Sequence, residues 1–307
     1  MKRRDFIVKT SAATSLLTLG GIGLSSFTSG KTKRITILHT NDTHSHLDAF
    51  PATDPKFAHQ GGAARRATIF EKIKAENPHT LIFDAGDLFQ GTPYFNYYGG
   101  ELEIKVMNML KYDAATFGNH EFDNGINSLA EQVTKAEFDF INTNYDFKNT
   151  LMDGLSKPYK IVIKDGIKIG IFGLGIKLDG LVNKEQYGET VCHHPLEIAQ
   201  DMTRILKHEL KCDLVICLSH LGYSYRKNSQ LFSDLDLASQ TRDIDLIIGG
   251  HTHTFLDQPT IATNLDGKEV IINQVGCFGV RVGQIDFFFD EWNNKQTVSR
   301  VIKVSSS

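Results

Sequence analysis

The stretch RITILHTNDTHSHL (residues 34–47) places a group of polar side chains directly after a β-strand pattern. Residues 34–40 form a short run that is rich in β-branched side chains and bounded by polar residues, which is typical of a strand. Asp42 and His44 follow, two residues apart, so in an extended segment both side chains point to the same side, about 7 Å apart along the chain. The pattern predicts a strand that ends either in a metal-binding loop or in an ordinary polar turn.

Similar strand-like runs recur along the chain. Each is short and mostly apolar and ends at glycine or polar residues; they cover residues 79–85, 112–118, 168–174, 213–219 and 244–250. Helical patterns separate several of them, with apolar residues on one face of residues 63–76 and of residues 196–210. This alternation predicts βαβ units around a largely buried sheet, and therefore an α/β fold.

The C-terminal part of the chain has a different pattern. Residues 268–276 and 281–290 both resemble strands, and no helical pattern separates them. Two successive strands of this kind favour an antiparallel section. We therefore expect a mixed sheet or two sheets packed face to face, in one domain that spans residues 31–307.

The ends of five strand-like runs carry side chains that can bind metal ions. Because the carboxyl ends of parallel strands meet at one edge of a sheet, we expect these side chains to share one cleft. They are Asp42 and His44, then Asp87 in DAGDLFQG, then Asn119, His120, Glu121 and Asp123 in FGNHEFDNG, then His220 in LSHLGY, and finally His251 and His253 in GGHTHTF.

The composition of this ligand set indicates which metals it suits. Aspartate, asparagine and histidine without thiolates suit divalent ions such as Zn²⁺, Mn²⁺, Fe²⁺ or Co²⁺. One metal ion needs fewer ligands than are present, whereas two ions that share a carboxylate, roughly 3.5–4 Å apart, form the arrangement that cleaves phosphoesters. Asp87 is the natural bridging residue, because its carboxylate has two oxygens and it stands alone after its strand.

Each motif also has a simpler interpretation when it is taken alone. Asp-x-His and His-x-His pairs occur in loops and packed cores without any metal. The Asn119–Glu121 segment could cap a helix that begins near Gly125, with Asp123 or Asn124 as the N-cap residue. Five such clusters at five strand ends make coincidence improbable. The remaining histidines are assigned to packing or solvation: His39, His46, His59, His79, His193, His194 and His208.

Composition limits the kinds of binding partner and indicates the redox state of the cysteines. The chain has 307 residues, 41% of them hydrophobic, and a formal net charge of −3 without a long basic stripe. A nucleic-acid polymer is therefore not expected as a partner. The four cysteines lack a C-x-x-C pairing, and we expect buried thiols, with a Cys192–Cys212 disulfide as the alternative.

The first 30 residues resemble an export signal. Arg3 and Arg4 are followed by Asp5, Phe6 and an apolar run diluted by serine, threonine and glycine, which resembles a twin-arginine signal peptide. The alternative is an ordinary secretory signal that happens to contain two arginines. The run is too short and polar for a membrane span, although retention of the signal as an anchor stays open. We predict a periplasmic or otherwise exported protein.

Taken in order, the motifs LHTNDTHSHL, DAGDLFQGTPYF, GNHEFDNG, LSHLGY and GGHTHTFL resemble those of the calcineurin-like metallophosphoesterases. The wording is similar in particular to the 5′-nucleotidase / UDP-sugar hydrolase branch, and the resemblance runs from about residue 34 to residue 289. It implies a four-layer α/β/β/α sandwich with two divalent metal ions at the strand ends.

The resemblance also implies a role for each motif residue. Asp42, His44, Asp87 and His253 hold one metal ion, and Asp87, Asn119, His220 and His251 hold the other. His120 is the catalytic imidazole and does not bind metal, and Asp123 accepts its N–H. Asn119 additionally contacts a phosphate oxygen. The implied reaction is attack of a metal-bound hydroxide on phosphorus, with protonated His120 assisting the leaving group.

The predicted function is an exported dinuclear-metal phosphohydrolase that cleaves phosphate monoesters of nucleotides. Alternatives with the same site are a cyclic-nucleotide phosphodiesterase, a nucleotide-sugar pyrophosphatase and a thiosulfate-ester hydrolase. A non-catalytic metal-binding subunit is a further alternative. The His120–Asp123 pair argues against it, because metal binding alone does not require such a pair.

The expected source of substrate specificity follows from a departure from the family. Bifunctional members of the family continue into a second domain that carries an aromatic clamp for the nucleobase, and this sequence stops at Ser307. We expect specificity either from local loops that contain Tyr94, Phe95, Tyr97 and Tyr98 or from a separately encoded substrate-binding partner.

Overall fold

The structure is a computed structural model, and it describes residues 32–226, 229, 231–292 and 294–305. The predicted signal peptide, residues 1–30, lies outside the described residues. Within the described part of the chain, no helix combines the length and the apolar character that crossing a membrane requires.

The described elements alternate between strands and helices through most of the chain. The helices are Ala63–Glu76 (α1), Pro93–Tyr98 (α2), Glu101–Leu110 (α3), Ile126–Thr134 (α4), Lys184–Tyr187 (α5), Pro195–Arg204 (α6) and Asp234–Gln240 (α7), and a wider π-type turn, Ile205–Glu209, continues α6. The strands are Lys33–Thr40 (β1), Thr80–Asp84 (β2), Ala114–Ala115 (β3), Asp139–Phe140 (β4), Tyr145–Asp146 (β5), Tyr159–Lys164 (β6), Ile167–Leu174 (β7), Val191–Cys192 (β8), Leu214–Ser219 (β9), Leu246–Gly249 (β10), Thr260–Thr263 (β11), Glu269–Asn273 (β12), Arg281–Phe289 (β13) and Lys295–Lys303 (β14).

The strands form two six-stranded mixed sheets. The first has the order β14-β13-β1-β2-β3-β4, and the second has the order β11-β12-β10-β9-β7-β6; β5 and β8 form a separate two-stranded ribbon. In the first sheet β1, β2, β3 and β4 are parallel, β13 runs antiparallel to β1, and β14 runs antiparallel to β13. In the second sheet β7, β9, β10 and β12 are parallel, and the antiparallel strands β6 and β11 form the edges. The two strands expected near the end of the chain form as β12 and β13, but they do not pair with each other. β12 lies in the second sheet, parallel to β10 and antiparallel to β11, whereas β13 lies in the first sheet, antiparallel to β1 and β14.

Three buried clusters show how the layers stack. The first packs side chains such as Ile37 and Leu81 of one sheet against Ile171 and Ile216 of the other, so the two sheets lie face to face. The second covers the outer face of the first sheet with α1, α3 and α4, and the third covers the outer face of the second sheet with α6 and α7. The result is the predicted four-layer α/β/β/α sandwich.

The third predicted strand is much shorter than expected. Residues 112–118 were expected to be extended, but β3 contains only Ala114 and Ala115. After β3 the backbone leaves the sheet and turns toward the edge at which the neighbouring strands end. The buried Glu121 carboxylate holds this turn by accepting a hydrogen bond from Gly118 N at 2.6 Å. The bend therefore belongs to the site and not to the sheet.

The cysteines agree with the expectation of free thiols. All four are free; Cys212, Cys217 and Cys277 are buried, and Cys192 is half-buried. The alternative of a Cys192–Cys212 disulfide is therefore wrong for this structure.

Candidate metal centre and catalytic pair

The loops after five parallel strands converge on one edge of the sandwich. β1, β2 and β3 belong to the first sheet, and β9 and β10 belong to the second. Hydrogen bonds join their loops: Asp42 N donates to the backbone Gly86 O at 2.9 Å, and His251 N donates to the side-chain Asp42 Oδ1 at 3.0 Å. The last contact connects the two sheets, so both sheets contribute side chains to one cleft.

Many of the residues in this cleft have an unusual backbone conformation. Among residues other than glycine, φ values in the left-handed region cost of order 1–3 kcal/mol each and concentrate at functional sites. Five of the seven predicted metal ligands have such values: Asp42 (49°), His44 (46°), Asp87 (56°), His251 (70°) and His253 (50°). The loops are thus bent in a way that aims these side chains inward.

The first group of potential ligands consists of Asp42, His44, Asp87 and His253, whose ligand atoms all lie within 4.8 Å of one another. Two imidazole nitrogens face each other directly, because His44 Nε2 lies 2.9 Å from His253 Nε2. The other nitrogen of His44, Nδ1, is 3.2 Å from the carbonyl oxygens of Phe89 and Gln90, which fixes the proton on Nδ1. The Nε2 lone pair of His44 is consequently directed into the group.

The second group shares Asp87 with the first and adds His220 and His251. Asn119 joins it through its Oδ1, which lies 2.8 Å from His251 Nδ1. His220 Nδ1 donates to Ala85 O at 2.6 Å, so Nε2 is the free nitrogen of the ring; it is buried, lies 3.0 Å from Asp87 Oδ2 and has no hydrogen-bond partner. A buried imidazole nitrogen that has no hydrogen-bond partner, lies next to a carboxylate and belongs to a ring whose other nitrogen is held by a carbonyl oxygen is suited to bind a metal ion.

The electrostatics of the two groups favour a bound cation. Burial opposes the imidazolium charge, but the Asp87 carboxylate still raises the pKa of His220 to about 10. A comparable balance, in which Asp42 opposes burial, raises the pKa of His253 to about 10. Burial lowers the pKa of His251 to about 4, so this imidazole is neutral at pH 7. The carboxylates thus stabilise positive charge at the centre, and the residues present fit a divalent metal site.

His120 and Asp123 form a pair beside these groups. His120 Nδ1 lies 2.8 Å from Asp123 Oδ2, and this hydrogen bond raises the pKa of His120 above its ordinary value. The backbone N–H of His120 donates to Asp87 Oδ1 at 2.9 Å, which holds the ring close to the candidate metal groups. Because Asp123 engages Nδ1, Nε2 is the nitrogen of His120 left for contact with a substrate.

Glu121 connects two of the loops through its carboxylate. The side chain is 1% exposed and accepts hydrogen bonds from four backbone N–H groups, those of Asp87, Leu88, Phe89 and Gly118. It therefore holds the loop that carries Asp87 against the loop that carries Asn119. The sequence placed Glu121 among the side chains that can bind metal ions and did not reveal these contacts, because its partners in the Asp87 loop lie more than 30 positions away along the chain.

Gly118 lies where no side chain fits. A Cβ atom at this position would stand 2.2 Å from Asp87 Oδ1 and 2.6 Å from His220 Nε2. Gly86 is similarly crowded, with 2.6 Å from its Cβ position to Gly118 N. The two loops therefore approach each other more closely than any residue except glycine allows.

Other residues considered in the sequence have different surroundings. Phe95 is buried in the core, whereas Tyr94 bonds to Asp48, and Tyr97 and Tyr98 are exposed on α2. Phe278, which the motif analysis did not single out, has a φ of 63° and packs against the rings of His44 and His253.

Comparison with known proteins identifies the family. The model of the calcineurin-like phosphoesterase family matches residues 35–255, which contain every residue of both candidate metal groups and of the His120–Asp123 pair. The chain belongs to the calcineurin-like phosphoesterase family. The membership confirms the predicted family, fold and enzyme class, a phosphoesterase, and this family uses divalent metals.

Similar proteins include several nucleotide phosphoesterases. The chain is 33% identical to the trifunctional nucleotide phosphoesterase protein YfkN of Bacillus subtilis strain 168, over 86% of this chain and 18% of that protein. It is also 33% identical to the snake venom 5′-nucleotidase of Crotalus adamanteus, over 85% of this chain and 46% of the venom protein. The crystal structure of a 5′-nucleotidase precursor from Thermus thermophilus superposes with a TM-score of 0.80 at 32% identity, over 89% of this chain and 55% of the other. The chain thus spans about half the length of the 5′-nucleotidases that it matches.

Proposed function

We propose that the protein is a phosphohydrolase that uses two divalent metal ions to cleave phosphate monoesters of nucleotides, as 5′-nucleotidases do. One observation carries this proposal: the Asp87 carboxylate belongs to both groups of potential metal ligands, and the His120–Asp123 pair stands directly beside it.

The proposed ligands follow the two groups. Asp42, His44, Asp87 and His253 hold one ion, and Asp87, Asn119, His220 and His251 hold the other. Nitrogen and oxygen donors without thiolate favour Zn²⁺, Mn²⁺, Fe²⁺ or Co²⁺. When bound, two such ions lower the pKa of a water molecule and neutralise charge on the phosphoryl oxygens.

The side chains of this protein perform the remaining steps. His120, whose pKa is raised by its hydrogen bond to Asp123, donates its Nε2 proton to the leaving oxygen as a water oxygen bonds to phosphorus and the bond from phosphorus to the leaving oxygen breaks. Asp123 holds the Nδ1 proton and thereby fixes the tautomer and the orientation of the ring. The Asn119 amide also contacts a phosphoryl oxygen, which orients the substrate between the metal groups and His120.

The substrate class is supported by the relatives. The three relatives are named for action on nucleotides, and the shared region contains the whole candidate centre. Because that region is only part of each relative, recognition of the leaving group is a separate question. We propose that loops of this chain contribute to it, with a separately encoded substrate-binding partner as the alternative.

Export by the twin-arginine pathway is the proposed localisation. Its support is the Arg3-Arg4 pair with its weakly apolar extension, and one relative is a venom component, hence secreted. The variant with Arg3→Lys and Arg4→Lys is expected to stay in the cytoplasm on cell fractionation. Export of this variant at the wild-type level contradicts the proposed pathway.

A phosphate-release panel tests the proposed reaction. The purified protein is loaded with Mn²⁺ or Zn²⁺ and incubated with AMP, UDP-glucose, cyclic AMP and bis(p-nitrophenyl) phosphate. The expected result is orthophosphate from AMP, abolished by removal of the metal. Cleavage of the diester substrates alone, without phosphate from AMP, contradicts the proposed monoesterase.

A further inference from the structure

The loop after β10, residues 250–254, carries two proposed metal ligands and is called the histidine loop below. His251 belongs to the second candidate metal group, and His253 belongs to the first. Both residues have φ values in the left-handed region, 70° and 50°. Such conformations persist only where the surrounding structure determines them, so contacts from elsewhere in the chain hold this loop in place.

The side chain of Gln274, which directly follows β12, bonds to both ends of the histidine loop. It is fully buried. Its Nε2 donates to Gly250 O at 2.5 Å. Its Oε1 accepts hydrogen bonds from Thr254 N and, at 3.1 Å, from the Thr252 hydroxyl group. One amide group therefore joins residue 250 to residue 254, and both ligand residues lie between these two contacts.

Backbone hydrogen bonds hold the C-terminal end of the histidine loop against the same segment. Gly276 N donates to Thr254 O at 2.9 Å, and Leu256 N donates to Gln274 O at 3.2 Å. The Gln274 amide continues this connection past the two histidines to Gly250, at the N-terminal end of the loop. The separation of the two ends is thus set from one side chain.

The segment that contains Gln274 is fixed relative to Asp42 by the buried amide of Asn41. Asn41 Oδ1 accepts a hydrogen bond from Val275 N at 3.0 Å. Its Nδ2 donates to Gly276 O and to Asp42 Oδ2, each at 2.6 Å. Because β1 lies in the first sheet and β12 in the second, these bonds join the two sheets. Gln274 therefore relates the histidine loop to the ligands of the first sheet.

The simpler interpretation is that Gln274 only satisfies buried backbone groups, as buried amides usually do. The position of its contacts argues for a further role, because they lie on both sides of the two ligand residues. A strained loop relaxes once one of its ends is released. Release of either end therefore moves His251 relative to His253, and each of them belongs to a different candidate metal group.

We propose that Gln274 is a positioning residue of the metal centre, which fixes the spacing of His251 and His253 and thereby the geometry of both metal groups. The inference rests on the proposed two-metal assignment and adds a residue that the five strand-end motifs do not contain. Loss of the Gln274 amide then weakens both metal sites together, whereas loss of either histidine affects one of them.

Titration of the metal-free full chain with Mn²⁺, followed by calorimetry, tests the proposal without relying on turnover. Gln274→Met keeps the length of the side chain and removes its three hydrogen bonds to the histidine loop. Both binding steps are expected to weaken about 10- to 100-fold, the range found for residues that orient metal ligands. Gln274→Asn keeps an amide but is one methylene group too short to join both ends, so it is expected to weaken both steps as well.

Asn273→Leu is the matched control. Asn273 directly precedes Gln274, is equally buried, and bonds to His39 instead of the histidine loop. This variant also loses a buried hydrogen bond, so it reports the effect of a general loss of stability. It is expected to bind both ions with wild-type affinity.

Amide hydrogen exchange in the metal-free protein, resolved by NMR, shows whether the loop itself is released. The N–H of Thr254 donates to Gln274 Oε1 and is expected to exchange faster in Gln274→Met. The N–H of Val275 donates to Asn41 Oδ1 and is expected to keep its wild-type protection. Equal acceleration at both amides indicates general destabilisation and overturns the positioning role.

The metal titration distinguishes failure of this inference from failure of the proposed function. Wild-type affinity at both steps in folded Gln274→Met and Gln274→Asn, weakening of one step alone, or equal weakening in Asn273→Leu overturns the role of Gln274. A single Mn²⁺ site in the wild type instead contradicts the two-metal assignment on which the proposed function rests.

Discussion

Replacing Gly118 by alanine should remove the metal centre while leaving the fold intact. The added Cβ atom would stand 2.2 Å from Asp87 Oδ1, the carboxylate that both candidate metal groups share. The φ angle of Gly118 is not in the left-handed region, so the backbone conformation itself suits alanine. The effect therefore comes from collisions of the added methyl group, which would also stand 2.7 Å from the backbone nitrogen of Asp87.

The size of the effect follows from the distances. A tolerable carbon–oxygen contact is about 3.3 Å, so Asp87 Oδ1 must move by about 1 Å. Metal–ligand distances tolerate deviations of only about 0.2 Å, so a shift of about 1 Å removes Asp87 as a well-placed ligand of both ions. The collision with His220 Nε2 at 2.6 Å displaces a second ligand. Overpacking of this kind costs about 1–3 kcal/mol, which a domain of this length survives.

Metal analysis after loading with Mn²⁺ and gel filtration is the assay, with circular dichroism to confirm folding. Gly125→Ala is the matched control from the same motif: its φ is 83°, and nothing lies within 4 Å of the added Cβ. This control, at a backbone conformation of φ 83° and ψ 156°, is expected to lose about 1–3 kcal/mol of stability through backbone strain and to keep its metal. Wild-type metal content and affinity in a folded Gly118→Ala variant refute the reasoning.

Three further outcomes are expected. His120→Asn should keep its metal content and lose about 10²- to 10⁴-fold in kcat for AMP; loss of metal in this variant means that His120 is a ligand. Glu121→Ala should lower metal affinity about 10- to 100-fold, measured by titration calorimetry, because its carboxylate holds the two loops together; an unchanged affinity shows that the loops hold their positions without it. Burial lowers the pKa of His39 from 6.5 to about 3, because the buried imidazole is neutral in the folded protein. Above pH 6.5 the imidazole is neutral in both the folded and the unfolded chain. As the pH falls from 6.5 toward 3, protonation of His39 in the unfolded chain lowers the free energy of unfolding by up to about 5 kcal/mol. The free energy of unfolding of the metal-free protein, measured with urea between pH 7 and pH 4, should therefore fall more steeply with pH in the wild type than in His39→Gln. Equal pH dependence in the two proteins contradicts the lowered pKa of His39.

Much of the candidate site could be predicted because its chemistry is local to the strand ends. A strand such as 34–40 is evident from its apolar pattern, and the side chains that follow it are metal-capable by type. Parallel strands bring their carboxyl ends together, so the seven predicted ligands meet in one cleft once the sheets form. The assignment of each ligand to a metal ion stays a prediction.

The features that could not be predicted depend on contacts between distant segments. Glu121 binds backbone groups of the Asp87 loop, and nothing in its own neighbours shows this. The short β3 and the narrow space at Gly118 come from the same contact between loops. The edge strands β6, β11 and β14 are only partly buried, and β11 and β14 contain several polar residues, so they lack the apolar pattern of the buried strands. Gln274 likewise meets the histidine loop only because β12 pairs with β10.

The number of metal ions bound per chain tests the central claim most directly. Titration of metal-free protein with Mn²⁺ is expected to give two sites in the wild type, one remaining site in His253→Ala and one in His251→Ala. Asp87→Ala is expected to weaken both sites, because its carboxylate belongs to both ligand groups. A single site in the wild type, or two unaltered sites in Asp87→Ala, contradicts a two-metal centre built around Asp87.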